Sequence, residues 1–493
     1  MNRIIPFAMA SQHPDHAGKP YWHDKEFISV QEETKECYLT YSDLGIPEYK
    51  WDWEGKLVDE SVIERLYENY FEYFQKNPLG KEKFLTFRLP NPKVETEFRI
   101  GRSFMGILCA SSLAKQVGQH SPPIFEVILP MTESFEEMIN IQIAFKELSS
   151  LKHSLYKLDS QDLKNLEIIP LFEQVNTIIN SDKIVRNYLD VYSKLLNTKI
   201  DYLRPYVARS DPALNSGIVP TVLAIKIALS RYKRLENDYS VKLYPIIGSA
   251  SLPFRGGISP YTVENFCNEY KGIKTALIQS AFRYDYPKKD VKIAIKQLEK
   301  LITKNSFEEI PKNDEEDLIE ILPSFENYYK KSVENLAPLI NEVAKHLPKR
   351  RERVQHVGLF GYSRGVGKVK LPRAIGFTGS LYSIGLPPEL IGTGRGLKKI
   401  KNKKLLEKYY LNIKSDLERS GRFVNTEIIE SLPSNLKDDV KEIEKYLGHE
   451  LSPVTTEEKE HGKLTSKIFS GIKSGKKVDG YIKEAALLRK SLG

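Results

Sequence analysis

Short apolar runs alternate with longer amphipathic stretches along most of the chain. The runs are Phe84–Arg88 (FLTFR), Ile124–Leu129 (IFEVIL), Ile168–Phe172 (IIPLF), Tyr206–Ala208 (YVA), Leu243–Ile247 (LYPII), Thr275–Ser280 (TALIQS) and Val357–Phe360 (VGLF). Most are continuously apolar rather than alternating, as in strands covered on both faces of a parallel sheet. Each gives way to polar, Gly- or Pro-bearing residues and then to helical patterning. Helices are expected at Ser134–Leu148, where Ser134 and Glu137 have the spacing of a capping box. Others are expected at the strongly apolar Ile218–Arg231 and at Val291–Ile302, whose apolar positions recur at helical spacing. Repeated strand–helix units with right-handed crossovers predict an α/β fold, a TIM-type (β/α)8 barrel. Two regions break the alternation. Asp314–Leu347 is charged and helical, and the chain from Leu397 onward reads mostly as helices with a polar loop near Thr455–Lys463. Both read as additions, over about 305–350 and about 397–493, to a single barrel domain spanning 1–493.

Composition narrows the class. Of 493 residues, 41% are hydrophobic and 28% charged, which suits a large folded core and argues against disorder. No stretch approaches the roughly 20 apolar residues that cross a bilayer, so no membrane partner is expected. The start, MNRIIPFAMASQHPDHAG, has too short an apolar patch for a secretory signal. Cys37, Cys109 and Cys267 are far apart and form neither zinc spacing nor a disulfide framework. They read as small buried hydrophobes in a reducing cytoplasm. The net charge of +9 is spread along the chain. Its densest runs, Lys349–Arg353 and Lys398–Lys404, read as solvated faces, and no RNA-binding aromatic motif accompanies them. Nucleic acid is therefore not expected as a partner, whereas a small acidic substrate suits the balance.

In a parallel barrel the chemistry sits at the C-terminal ends of the strands. That rule selects Arg88 after FLTF, Glu173 after IIPLF, Arg209-Ser210-Asp211 after YVA, the loop Gly248–Gly257 after LYPII, and Arg283 after TALIQS. Two carboxylates suit a hard divalent ion that keeps waters or substrate oxygens. Arginines suit carboxylate and phosphate, because the guanidinium donates two parallel hydrogen bonds. Gly256 and Gly257, after Arg255, would let backbone N–H groups approach an anion. His13, in Ser11-Gln12-His13-Pro14-Asp15, adds a group able to exchange a proton near neutral pH. Singly, each has a plain alternative. Asp211 before Pro212 suits a helix cap, Arg88 and Arg283 suit salt bridges, and His13 suits a loop surface.

With these residues assembled, the chain resembles the phosphoenolpyruvate carboxylases, in their short archaeal-type form. The similarity lies in Ser11–Asp15, Phe87-Arg88-Leu89-Pro90-Asn91, Ile128–Ser134, Pro170-Leu171-Phe172-Glu173, Ala208–Ala213, Gly248–Gly257, Leu371-Pro372-Arg373-Ala374-Ile375 and the ending Ala486–Gly493. Their order spans nearly the whole chain. The resemblance implies that phosphoenolpyruvate and bicarbonate become oxaloacetate and phosphate through carboxyphosphate and an enolate, in anaplerotic carbon fixation. It implies Mg²⁺ (or Mn²⁺) on Glu173 and Asp211. It implies catalytic roles for His13, Arg255, Arg283 and Arg373, substrate binding by Arg88, Arg209, Gly256 and Gly257, and a homotetramer. The loop Ser249–Gly257 would serve as a mobile lid. Larger members have Thr-Ala-His-Pro-Thr where this chain has Ser-Gln-His-Pro-Asp. They also have a second arginine-glycine cluster where it has Gly248-Ser249-Ala250-Ser251, and a Gln-Asn-Thr-Gly ending that it lacks. Two other classes compete. A different Mg²⁺-dependent barrel enzyme acting on phosphoenolpyruvate or pyruvate would use the same carboxylates and arginines. A basic RNA-binding scaffold would leave the strand-end carboxylates unexplained.

Overall fold

The computed structural model describes residues 4–95, 98–153, 156–157, 163, 165–196, 199–352, 364–366 and 369–493. Eight strands close into a barrel: β1 (Ala8–Ser11), β2 (Glu48–Asp52), β3 (Phe84–Arg88), β4 (Glu126–Leu129), β5 (Glu167–Phe172), β6 (Tyr206–Val207), β7 (Ile246–Ile247) and β8 (Thr275–Ile278). Each lies parallel to its neighbours in chain order, and β8 returns to β1. Six of the apolar runs supply β3 to β8; the seventh, Val357–Phe360, lies outside the described residues. The run Leu243–Ile247 is divided. Ile246–Ile247 joins the barrel, while Lys242–Leu243 pairs with Tyr202–Leu203 in a separate two-stranded ladder. Pro205 and Pro245 stand between the paired segments and have no N–H to give a ladder.

β1 and β2 escape an apolar search for a physical reason. β1 is four residues, AMAS, and β2 is EYKWD, with charge at alternate positions. In a barrel, alternate residues face the interior, and here that interior is charged at both ends. At its floor, the fully buried Arg204 donates to Glu48 and Glu126 at 2.7 Å each, and to Thr275 Oγ1 at 3.0 Å. Above it lies an apolar layer including Met9, Ile128, Ile169, Tyr206, Ile246 and Leu277. The intervening residues of β2, Tyr49 and Trp51, join the main core instead.

The expected helices form, with revised ends. The Ser134 helix is Phe135–Ser149, with Ser134 extended at its N-cap but making no side-chain cap bond. The Glu137 carboxylate reaches back to the N–H of Glu133 at 3.0 Å, so the capping box is half-built and shifted by one residue. The apolar helix extends over Ile218–Tyr239 and is buried through most of its first three turns. The stretch Asp314–Leu347 forms Lys312–Ile321 and Pro323–Ala344. The expected loop at Thr455–Lys463 is instead the start of an 18-residue helix, Thr456–Lys473. Thr455 accepts from the N–H of Glu458, whose carboxylate accepts from the N–H of Thr455, a complete capping box. Its polar residues are the solvent face of a helix whose Leu464 and Ile468 are buried. Among the cysteines, Cys37 and Cys267 are buried as expected, but Cys109 is exposed. No helix among the described residues is long and apolar enough to cross a membrane.

Candidate active site

A cavity of about 400 Å³ opens at the C-terminal ends of the strands. His13, Arg88, Glu173, Arg209, Asp211, Arg255 and Arg373 all line it, together with Lys50 and Gln279. Residues chosen from separate strand ends therefore meet in one place, as the barrel rule requires.

The quadrant above β1, β2 and β3 holds His13. Its Nδ1 lies 2.9 Å from Ser11 Oγ, the last residue of β1, which leaves Nε2 as the nitrogen available to a ligand. Burial, followed by the positive charge of Lys50, holds its pKa well below the ordinary 6.5. The imidazole is thus in its neutral, unprotonated form at neutral pH. Arg88 is buried and fixed from both sides, by Asp52 Oδ1 at 2.5 Å and Glu54 Oε2 at 2.7 Å. Glu54 also lies 3.9 Å from Arg373, which stands half-buried before the helix Ala374–Ser383. Lys50 pairs with Asp52 at 3.5 Å, and burial lowers its ammonium to about 8.

The opposite quadrant holds the carboxylates and Arg255. Glu173 directly follows β5, and Asp211 lies just beyond β6, its neighbour in the barrel. Glu173 is buried and accepts the Met131 N–H at 3.0 Å. Met131 takes a positive φ of 49°, a costly conformation for a non-glycine residue, and so presents that N–H to the carboxylate. Asp211 is not a cap: it sits in the first turn of Ser210–Ser216, whose N-cap is Arg209. Among the described residues no three His, Cys, Asp or Glu side chains group to hold a metal. Two carboxylates at one rim nevertheless fit a hard divalent cation, whose remaining positions go to water or substrate oxygens.

Arg255 is held by several partners. It donates to Ser210 Oγ at 3.1 Å, to Gln279 Oε1 at 2.7 Å and to the Gly493 carbonyl, and lies 3.5 Å from Asp15 Oδ2. Asp15 also accepts from Ser280 Oγ at 3.0 Å and from the Ala281 N–H at 2.7 Å. Asp15, two residues after His13, thus ties the His13 segment to Arg255 and to Ser280 and Ala281 just beyond β8.

Five expectations meet a different geometry in the structure. Arg283 does not line the cavity: it stands behind β1, donating to the Ser11 carbonyl at 2.7 Å and pairing with Glu36 at 3.1 Å. Arg209 lines it, but its guanidinium is committed to Tyr270 Oη at 3.0 Å and to the Phe254 and Pro253 carbonyls at 2.9 and 3.2 Å. Gly256 and Gly257 do not offer their N–H groups to an anion, because these donate to Pro253 and Leu252 within the turn, each at 3.0 Å. Their glycine identity has another cause, positive φ angles of 122° and 74°. Finally, Ser249–Gly257, expected as a mobile lid, is a packed turn in this structure. Ser249, Phe254 and Arg255 are buried, Arg209 clamps the turn, and the Phe254 N–H donates to Glu389 at 2.7 Å. The basic run Lys349–Arg353 is also not a solvated face throughout. Arg350 and Arg351 are buried, and Arg351 pairs with Glu36 at 2.7 Å.

Glu389 gives a pH prediction. It is fully buried, it also accepts from Tyr382 Oη at 2.7 Å, and burial pushes its carboxyl up to about 7 from 4.5. The folded protein then keeps a proton that the unfolded chain releases, so stability falls as pH rises from about 4.5 to 7. Glu389→Gln accepts the same bonds without titrating. Urea unfolding between pH 5 and 8 is expected to show the variant gaining on the parent with rising pH, by on the order of 3 kcal/mol at pH 8. A difference that does not vary with pH would contradict this.

A closed parallel barrel with one neutral histidine, clamped arginines and two rim carboxylates defines an enzyme acting on a small, multiply anionic substrate. Comparison with known proteins agrees over the whole chain. A family model described as phosphoenolpyruvate carboxylase matches residues 5–493. A phosphoenolpyruvate carboxylase of Metallosphaera sedula is 38% identical over 519 residues, covering 100% of both chains. One of Caldivirga maquilingensis is 38% identical over 520 residues with the same coverage. One of Oenococcus oeni is 36% identical over 505 residues, covering 100% of this chain and 99% of its own. The chain belongs to the phosphoenolpyruvate carboxylase family, a family of carbon–carbon lyases.

Proposed function

We propose that this cavity joins bicarbonate to phosphoenolpyruvate, with His13 as the base, Arg255 and Arg373 on the phosphoryl group, and Arg88 on the substrate carboxylate. Glu173 and Asp211 would hold Mg²⁺ (or Mn²⁺), which supplies charge neutralisation for phosphate and enolate oxygens. A bicarbonate oxygen attacks phosphorus and the bond to the enol oxygen breaks, leaving carboxyphosphate and the pyruvate enolate. Both arginines oppose the charge spread over the phosphoryl oxygens, and Arg255, already held by its partners, does so without having to reorganise. His13 Nε2 takes the carboxyl proton of carboxyphosphate, which breaks into CO₂ and phosphate. The enolate C3 then bonds to that carbon, giving oxaloacetate. Arg209 and Arg283 act through the backbone, fixing the Pro253–Arg255 turn and β1.

The observation that carries this reading is the pairing, in one cavity, of a neutral His13 with two rim carboxylates on the far side. A base and an acidic metal-type donor set are separated, so neither neutralises the other. The working unit is expected to be a cytoplasmic homotetramer that replenishes four-carbon acids. Bicarbonate labelled with ¹⁸O tests the chemistry. Attack on phosphorus places one label in the released phosphate and two in the new carboxyl. Unlabelled phosphate alongside oxaloacetate would refute the carboxyphosphate route.

A further inference from the structure

The interior of β2 supplies a cation that the strand-end rule does not select. Lys50 faces the barrel interior and lines the cavity, yet is only 1% exposed. It is the strand partner of Ser11 on one side and Thr86 on the other. Partners across a parallel ladder project to the same face, so Lys50 rises beside the Ser11 hydroxyl that holds His13. Among the described residues its ionic contact is Asp52 at 3.5 Å. That carboxylate is already engaged by Arg88 at 2.5 Å. An ammonium has three donors, and one loose contact to a shared carboxylate leaves it with capacity for another anion. A buried ammonium with that capacity is costly unless an anion completes its shell.

Phosphoenolpyruvate, held at the carboxylate rim and by arginines from both quadrants, would leave the space beside His13 on the β1–β2 side for the one-carbon substrate. Glu173, Asp211 and Arg255, beyond β5, β6 and β7, are set for the metal-bound phosphoryl end. His13 and Lys50 lie together on the β1–β2 side and both line the cavity, and after burial the Lys50 charge is the first cause that lowers the His13 pKa. We propose that Lys50 forms the bicarbonate subsite, donating to the bicarbonate oxygens and then to the CO₂ that His13 helps release. This rests on the carboxylase reading and adds a residue to it. An ammonium in this position holds the one-carbon anion within reach of His13, orients its hydroxyl towards Nε2, and keeps CO₂ near the enolate instead of losing it.

The test is steady-state kinetics of the Mg²⁺-loaded full chain, with oxaloacetate and phosphate measured separately, for the parent, Lys50→Met and Lys50→Arg. A charged hydrogen bond of this kind corresponds to roughly 10- to 100-fold in binding. Lys50→Met is expected to raise KM for bicarbonate by that factor, with KM for phosphoenolpyruvate changed by less than about threefold. It should also release more phosphate than oxaloacetate, because escaping CO₂ leaves an enolate that protonates to pyruvate. Lys50→Arg, which keeps the charge, should restore most of the bicarbonate affinity. A purely structural lysine would move both KM values together, or neither, and either result overturns the proposal. So would failure of Lys50→Arg to improve on Lys50→Met. A parent enzyme that forms no bicarbonate-dependent oxaloacetate would instead overturn the carboxylase reading itself, and the subsite with it.

Discussion

Replacing His13 by Asn is expected to lower oxaloacetate formation by roughly 100- to 10,000-fold, the usual worth of a positioned proton acceptor, while bicarbonate-dependent phosphate release persists in part. The two outputs separate because His13 acts after phosphorus has been attacked. Arg255, Arg88 and the two rim carboxylates, which serve the first step, are untouched. The remaining carboxyphosphate decays without a base, and much of the enolate protonates to pyruvate. Simultaneous assays of phosphate, pyruvate and oxaloacetate check this, and near-normal oxaloacetate would remove His13 from the role. The buried ring also fixes a pH expectation. Its pKa lies well below 6.5, held down first by burial and then by Lys50, so the base form persists as pH falls through 6.5. The acid limb of kcat/KM should therefore lie below pH 6.5, not at it.

The second large effect is expected at the rim. Asp211→Asn removes one of two carboxylates and halves the anionic charge offered to a divalent cation. A loss of roughly 10²- to 10³-fold in kcat/KM follows if metal stabilisation is worth several kcal/mol. Mn²⁺ titration by calorimetry gives a reading independent of turnover, and binding should weaken to a similar degree. Glu173→Gln should weaken Mn²⁺ as well, and it additionally removes the charged acceptor of the Met131 N–H, held at 3.0 Å by a backbone of positive φ. Undiminished Mn²⁺ binding in both variants would show that these carboxylates do not hold the metal.

The sequence made some parts of this site plain and concealed others, for reasons that lie in the barrel itself. Glu173 and Asp211 are legible because an apolar run ends immediately before Glu173 and three residues before Asp211, and the strand-end rule then points to them. His13 is legible only through its motif, since β1 is too short and too small-sided to register as a strand. β2 is concealed because its inward positions carry Glu48, Lys50 and Asp52, which serve the floor cluster and the cavity rather than an apolar core. The trace was nevertheless present. Aromatic residues Tyr49, Trp51 and Trp53 alternate with charged ones from Glu48 to Glu54, a period of two with its polar face turned inward. Arg283 shows the opposite failure. It satisfies the strand-end rule, but the helix Ser280–Tyr284 carries it behind β1, where Glu36 and the Ser11 carbonyl occupy it. The turn Ser249–Gly257 has a lid's composition, and its burial follows from long-range partners, Arg209 and Glu389, that no local pattern shows.

The most direct test of the account is oxaloacetate formation from phosphoenolpyruvate, measured across a range of temperatures with bicarbonate and Mg²⁺ supplied or withheld independently. Oxaloacetate and phosphate are expected in equal amounts when both are present, and little of either when one is withheld. Absence of any bicarbonate-dependent oxaloacetate at every temperature, from folded protein, would contradict it.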